Sequence, residues 1–420
     1  MNISRRQLLQ SGVAASAMLA LPNSLLAADA VKLTTYNWGN PDEAKAYAAA
    51  FARFSKAFPN VTVEDKNIPL KTWSDYADGL VTQIAGGNVP DIINIAIEGV
   101  QLAVSKGLLE PLDAMIAASP KAKELLAKIP HQLKDALTVD GKLYEIPNGW
   151  QCMVIHYNKK VFDAAGVPYP KADWTWDDFL ATCKKLTKGE GAKKVYGYGM
   201  PWFNFAHYPW FLTNGTYPVS NDMKASNLAY PKMIDAAQFL NDMVHVHGVS
   251  PDPIGLNVFD QFSNGSLGMI SAGRWPVAGW VKAGFNTFDV APWPKKAASD
   301  TVFGCAGWGI SPQSKNKQAA FDAILELISP STQSELMNIG QQIPMYADAA
   351  KEASFLAAPP NAKLFYDVID HTRPVAAPKY FSQLDRILAR AMDTAIAKGA
   401  DVKAVFAAAD AELTQAIGQG

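Results

Sequence analysis

Cysteine is scarce in this chain. Cys152, Cys183 and Cys305 are the only three in 420 residues. They are far apart and form no CxxC pair, which excludes a disulfide framework and a thiolate zinc site. Cys152 falls in an apolar run and reads as a small buried thiol; no disulfide is expected. A charge of one sign is lacking too. The 38 Lys and Arg against 39 Asp and Glu leave a net charge of −1, so nothing supports a nucleic-acid partner. Past the amino terminus no stretch is apolar for long enough to cross a bilayer. There is no HExxH, no GxSxG, no phosphate loop and no GxGxxG behind a strand. Scattered carboxylates leave a glycosidase pair as an alternative that only a third dimension can test. His245 and His247 stand two apart, so they point to different faces of one helix, with no third ligand near in sequence. Neither a metal nor a cofactor is expected. No repeat or low-complexity run interrupts the chain.

What is present begins with a leader. Ser4-Arg5-Arg6-Gln7-Leu8-Leu9 is a twin-arginine pattern. A weakly apolar run follows, then the small-residue exit Leu26-Ala27-Ala28-Asp29-Ala30. Residues 1–30 are therefore expected to be removed, leaving a protein exported already folded to the periplasm. No Cys adjoins the exit, which argues against a lipid anchor. Roughly 390 residues remain, too many for one core and comfortable for two.

Residues 31–36 read as a strand, followed by the loop Asn37-Trp38-Gly39-Asn40-Pro41. A helix over 42–58 carries Tyr47, Phe51, Phe54 and Phe58 on one face and stops at Pro59. A short strand at 61–64, a second amphipathic face on Trp73, Tyr76, Leu80 and Ile84, and a buried strand at 92–95 complete an α/β unit with a parallel sheet. Ligands in such sheets sit beyond the carboxyl ends of strands. That rule selects Trp38 and Asn40 after the first strand and Glu98 after the third. Further on, Thr175 is an N-cap with Asp178 three residues later. Residues 201–210 read as an aromatic-rich loop. Thr332-x-x-Glu335 suits another capping box.

Residues 141–179 organise the rest: GKLYEIPNGW QCMVIHYNKK VFDAAGVPYP KADWTWDDF. Cys152 to Tyr157 suits a strand buried on both faces, opened by Ile146-Pro147-Asn148-Gly149-Trp150, a turn with an exposed-looking aromatic, and closed by Asn158. This stretch resembles the carbohydrate-type extracellular solute-binding proteins that serve bacterial ABC importers, the maltose-binding-protein-like family. The blocks GNVPDIINIAIEG, FSNGSLGM…AGRW and GCAGWGI resemble its other signatures. Arg274 departs from them, since a small residue or Pro is expected before Trp275. The resemblance covers about the whole chain past the leader and implies a two-lobe α/β fold with a ligand cleft between mostly parallel sheets.

It further implies a lobe of 31–146 plus 307–341 and a second lobe of 147–306 plus 342–420, crossing at 145–148, 306–309 and 342–345. Trp202, His207 and Tyr208 stand where members commonly contact ligand, Trp275 where a Trp forms the sugar platform. Trp308 lies among glycines of the return crossover, and Arg373 stands in the family's "RP" position. With Asn148, Trp150, Gln151 and Arg274, these are the expected cleft residues. The 11 Trp, several at loops, suit a hydroxylated ring whose C–H faces pack on aromatics. The implied function is capture of a sugar or oligosaccharide by a monomer and delivery to a membrane permease, without catalysis. A polyol or sugar phosphate is the alternative ligand. Replacing Arg5 and Arg6 together by Lys should abolish export, read as loss of periplasmic protein; undiminished export would refute the twin-arginine reading.

Overall fold

The computed structural model describes residues 30–68 and 72–419. The twin arginine and the cleavage region before Ala30 lie outside them. Twelve strands follow in chain order among the described residues. They are β1 (Val31–Tyr36), β2 (Val61–Glu64), β3 (Ile92–Ala96), β4 (Thr138–Val139), β5 (Lys142–Leu143) and β6 (Ile146–Cys152). Then come β7 (Val154–Asn158), β8 (Tyr196–Gly199), β9 (Leu267–Ala272), β10 (Phe288–Ala291), β11 (Thr301–Ile310) and β12 (Thr372–Pro374). The first sheet has the order β2-β1-β3-β11-β12, with β6 also on β11, and the second the order β10-β7-β9-β8. β4 and β5 form a small hairpin ahead of β6.

The sequence explains the first sheet. β3 reads IINIA and is buried throughout, as a strand covered on both faces must be. β1 lies parallel to β2 and β3, pairing Val31 with Val61 and Thr35 with Ile92. The helix Pro41–Ala57 starts on a capping box. The Asn40 side chain accepts from the Asp42 and Glu43 amides, and Glu43 reaches back to the Asn40 amide. Tyr47, Phe51 and Phe54 then bury its inner face. The second sheet is packed by aromatics: Trp210 touches Trp176, Phe179 and Trp293 at ring-centroid distances of 5.3, 5.1 and 5.0 Å. The helix Trp176–Leu186 beside it opens on the Thr175–Asp178 box.

β6 and β11 tie the two sheets together. β11 runs antiparallel to β3 only from Ala306 to Ile310, whereas β6 follows it from Trp308 back to Phe303, with a bulge at Ala306/Gly307. Met153 ends the association, its N–H donating to Val302 O and its carbonyl accepting from Thr301 Oγ1. The next residue, Val154, already pairs with Ala272 in the other sheet. Residues 152–157, expected as one strand, are therefore two strands in two sheets.

Two other local readings are corrected. The helix Asn204–Thr213 starts inside the expected loop and contains Pro209. Burial of its residues on nearly every side compensates for the hydrogen bond that proline cannot make. Thr332 is no N-cap either: Ser329 caps Pro330–Ile339, and Thr332 Oγ1 donates to Glu326 O. The three cysteines are buried and free.

Gly307 and Gly309 carry a packing constraint. A Cβ at Gly307 would sit 2.6 Å from Glu145 Cβ and 2.7 Å from Leu137 Cδ1. One at Gly309 would sit 2.8 Å from Leu109 Cδ2. Gly307→Ala should therefore destabilise the fold by about 1–3 kcal/mol, the usual cost of overpacking a core. Urea unfolding measures this; an unchanged midpoint would show that the crossover tolerates a methyl group there.

Candidate functional site

Side chains from both sheets converge beside the β6/β11 crossover. From the first sheet's side come Trp38, which follows β1, and Trp73, which opens the helix Trp73–Ala85. Their rings meet edge to face at 5.3 Å, and both are half-buried. From the second sheet's side come Phe203, Phe205 and Trp275. The Trp275 ring lies 6.2 Å from Phe203 and 6.4 Å from Phe205 by centroids. Trp275 follows β9, and its ring folds back over Gly273, where a Cβ could not be placed. The Gly273 carbonyl is held by His156 Nε2 at 3.0 Å. Burial pushes His156 down to about 3, so its imidazole is neutral.

Polar bridges frame these aromatics at two ends. At one end Asn40 Nδ2 donates to Gln341 Oε1, and Gln151 Nε2 donates to the Gln341 carbonyl. Gln151 Oε1 in turn accepts the Arg274 N–H at 3.0 Å. Gln342 lies against Gly149 and donates to Glu43 Oε1 at 2.5 Å. At the other end Ser74 Oγ donates to Asp385 Oδ2 at 3.1 Å, and Asn204 Nδ2 to Asp385 Oδ1 at 2.7 Å. Ser382 Oγ donates to Asp78 Oδ1 at 3.2 Å beside them.

Several buried polar atoms at the second end have no protein partner: Glu98 Oε2, Asn204 Oδ1 and Tyr208 OH. Such atoms are costly unless something supplies a partner. Burial, then the charge of Asp385, pushes Glu98 up to about 7. Burial also raises the Tyr208 phenol, helped by Asp385 and Glu98. His207 is buried with neither ring nitrogen partnered, and desolvation lowers it to about 3. It lies 5.0 Å from the Trp202 ring, whose Nε1 donates to Asp393 Oδ1 at 2.6 Å.

The expected cleft residues divide accordingly. Trp38, Asn40, Gln151 and Trp275 come together at the first end, and Glu98 and Tyr208 at the second, with Trp202 and His207 alongside. Of the others, Trp308, Trp150 and Arg274 are built into the packing and Arg373 lies exposed at an edge. Trp308 is 0 % exposed and meets Tyr47 edge to face at 5.3 Å. Strand alternation explains this: Gly307 and Gly309 face Glu145, so Trp308 faces the opposite core. Trp150 is 2 % exposed, packs on Phe303 and Tyr366, and donates from Nε1 to Pro344 O. Arg274 is buried and turned away from Trp275, donating to the carbonyls of Ala358 and Phe355 and stacking 4.2 Å over the Phe355 ring. Arg373 is exposed on the edge strand β12, opposite Val302. Asn148 is buried and donates to Tyr47 OH at 3.4 Å, and Asn40 is largely engaged as a helix cap.

Sequence reasoning missed Phe203, Asn204, Phe205, Ser74, Gln341, Gln342 and Asp385. For Asp385 a signal existed. It adjoins the buried stripe Phe381, Leu384 and Leu388 of the helix Phe381–Met392, where a surface acid has no reason to sit half-buried.

The chain belongs to the bacterial extracellular solute-binding proteins: that family's sequence profile matches residues 49–363. The galactooligosaccharide-binding protein of Bacillus subtilis is 23% identical over 334 residues, 76% of this chain and 74% of that protein. A putative binding protein of Brucella abortus is 25% identical over 230 residues, and the chain spans only 53% of its length. Among solved structures, the ABC substrate-binding protein Lmo0181 from Listeria monocytogenes in complex with cycloalternan superposes with a TM-score of 0.82. It is 25% identical, and the match covers 93% of this chain and 100% of that one. The two-lobe fold expected from the sequence is the fold found.

The raised Glu98 fixes the sign of a pH effect. Its folded-state value lies above the ordinary 4.5, so its contribution is present below about pH 4.5 and lost as pH rises through about 7. Glu98→Gln should therefore stabilise the ligand-free protein at pH 8 by about 2–3 kcal/mol and have little effect at pH 4.5. Denaturant titrations at the two pH values test this. Equal effects at both would show that Glu98 is not desolvated.

Proposed function

We propose that the protein is the exported, periplasmic substrate-binding component of an ABC importer, which captures a sugar or oligosaccharide and presents it to the membrane permease. The observation that carries this reading is a pair of aromatic clusters, Trp38 with Trp73 on the first sheet's side and Phe203 and Phe205 with Trp275 on the second's, joined by the Asn40–Gln341–Gln151 and Ser74–Asp385–Asn204 hydrogen bonds. A hydroxylated ring offers apolar C–H faces and an equatorial rim of donors and acceptors. Aromatic planes pack the faces, while Gln151, Glu98, Asn204 and Tyr208 meet the rim. The oligosaccharide ligands named for the Bacillus and Listeria proteins support the same class.

The mechanism is closure by population shift. A ligand touching both walls favours the form in which they approach. We place the hinge at 145–148, 306–309 and 342–345. The lobes are then 31–146 plus 307–341, and 147–306 plus 342–420. The loss of β3 pairing beyond Ala306 and the bulge at Ala306/Gly307 support that position, as does the bridge between Trp150 and Ile343. The protein acts as a monomer, and no covalent step is required. A twin-arginine leader removed near Ala28 to Ala30 accounts for export.

A thermal-shift screen of the leader-free protein against mono- and oligosaccharides, polyols and sugar phosphates tests the reading. A ligand at 100 times its Kd adds about 2.7 kcal/mol of apparent stability, so a saccharide should raise the melting temperature by several degrees. A response to sugar phosphates alone would overturn the proposal. With that saccharide, Trp275→Ala should weaken binding by about 1–3 kcal/mol, the scale of a lost aromatic contact. If folding collapses while the folded fraction binds normally, Trp275 is a core residue.

A further inference from the structure

The helices Trp73–Ala85 and Phe381–Met392 meet along a seam of reciprocal hydrogen bonds. Ser74 Oγ donates to Asp385 Oδ2 at 3.1 Å, and Ser382 Oγ donates to Asp78 Oδ1 at 3.2 Å. Arg386 lies 3.8 Å from the other Asp78 oxygen. Each helix thus carries a serine and an aspartate one turn apart, and the two pairs match with the helices antiparallel. Both serines are buried and both aspartates half-buried.

The two helices are fastened to different walls. Tyr76, on the first, donates from its OH to Asn94 O of β3, and its carbonyl accepts from Tyr36 OH of β1, each at 3.0 Å. The second helix and the turn after it are held from the other side. Asn204 Nδ2 donates to Asp385 O at 2.9 Å, Asn241 Nδ2 to Ala395 O at 2.8 Å, and His245 Nε2 to Ile396 O at 2.7 Å. A further contact crosses in the same direction: Gln101 Nε2, on the helix Ile97–Ser105 behind β3, donates to Met223 Sδ at 3.6 Å. Met223 is in turn held by Tyr380 OH, which donates to its carbonyl. Every donor and acceptor in the seam comes from the protein itself, so it forms without help from a ligand. Each bond contributes little net, because the parted groups regain water, and the Asp78–Arg386 pair is exposed. The seam therefore biases closure and does not lock it. Resting on the two-walled closure proposed above, we infer that Ser74, Asp78, Ser382 and Asp385 are positioning residues forming a latch. It holds a fraction of the empty protein closed and sets apparent affinity through that fraction.

Double electron–electron resonance on the leader-free protein, with no ligand added, tests this with spin labels on Asn88→Cys and Lys398→Cys. Both positions are exposed, one beyond each helix of the seam, and the three native cysteines are buried. The native seam should give a short and a long distance population. Asp78→Ala removes the partner of Ser382 and Arg386 together and should cut the short population about threefold. Ser74→Ala combined with Ser382→Ala should do the same. Asp78→Ser combined with Ser382→Asp exchanges donor and acceptor and should restore it, which a loss of packing would not. Far-ultraviolet dichroism reports the folding of each variant. Distances unmoved by the variants, or a long population alone in the native seam, overturn the latch. Either result leaves the carbohydrate reading standing, since the thermal-shift screen judges that reading without reference to the seam. A screen in which no saccharide binds, while the variants still open the seam, overturns the carbohydrate reading and supports the latch.

Discussion

The antiparallel pairing of β6 with β11 is the constraint on which the rest of the molecule depends. β6 carries the chain out of the first sheet toward the second and β11 brings it back, so their register sets how the two sheets are joined. The bulge at Ala306/Gly307 marks where β11 departs from β3. Beyond it the ribbon is joined by the short parallel strand β12. A narrow strand pair concentrates rotation in few dihedrals, which suits closure better than a broad interface would. The pair is also tightly packed on the first-sheet side. Glu145 is completely buried there, both carboxyl oxygens without partners, and burial holds its carboxyl well above the usual range. A neutral acid is wedged there against two glycines, so that side of the crossover is tightly packed.

The cleft is organised by separation of chemistry. Apolar planes occupy the middle, while hydrogen-bonding groups cluster at the two ends. At the crossover end those groups largely satisfy one another through Asn40, Gln341 and Gln151. At the far end they do not, and Glu98 stands near pH 7 in its titration because desolvation and Asp385 both oppose its charge. Unsatisfied buried atoms reduce stability of the empty protein. A ligand that supplied their partners would offset that cost.

Much of this was legible in the sequence, and the failures have a common cause. Strand and helix order, the capping box at Thr175 and the long motif at 141–179 are local features, readable without tertiary information. Which face a side chain takes is not local in the same way. Trp308 between two glycines reads as a cleft floor, yet alternation turns the glycines toward Glu145 and the indole into the opposite core. Trp150 reads as exposed because a turn-like Asn148-Gly149 precedes it, but Phe303 and Tyr366 close over it. Arg274 adjoins Trp275 in sequence and points away from it, held by carbonyls some eighty residues further on. Asp385 and Ser74 lie 311 residues apart, and no pattern in either segment announces their hydrogen bond.

Small-angle scattering of the leader-free protein, free and saturated with the saccharide that stabilises it, tests the central claim most directly. Closure about the β6/β11 ribbon requires a smaller radius of gyration in the bound state, with unchanged secondary structure by circular dichroism. A saturated complex as extended as the free protein would contradict the account of a two-walled cleft that closes on its ligand.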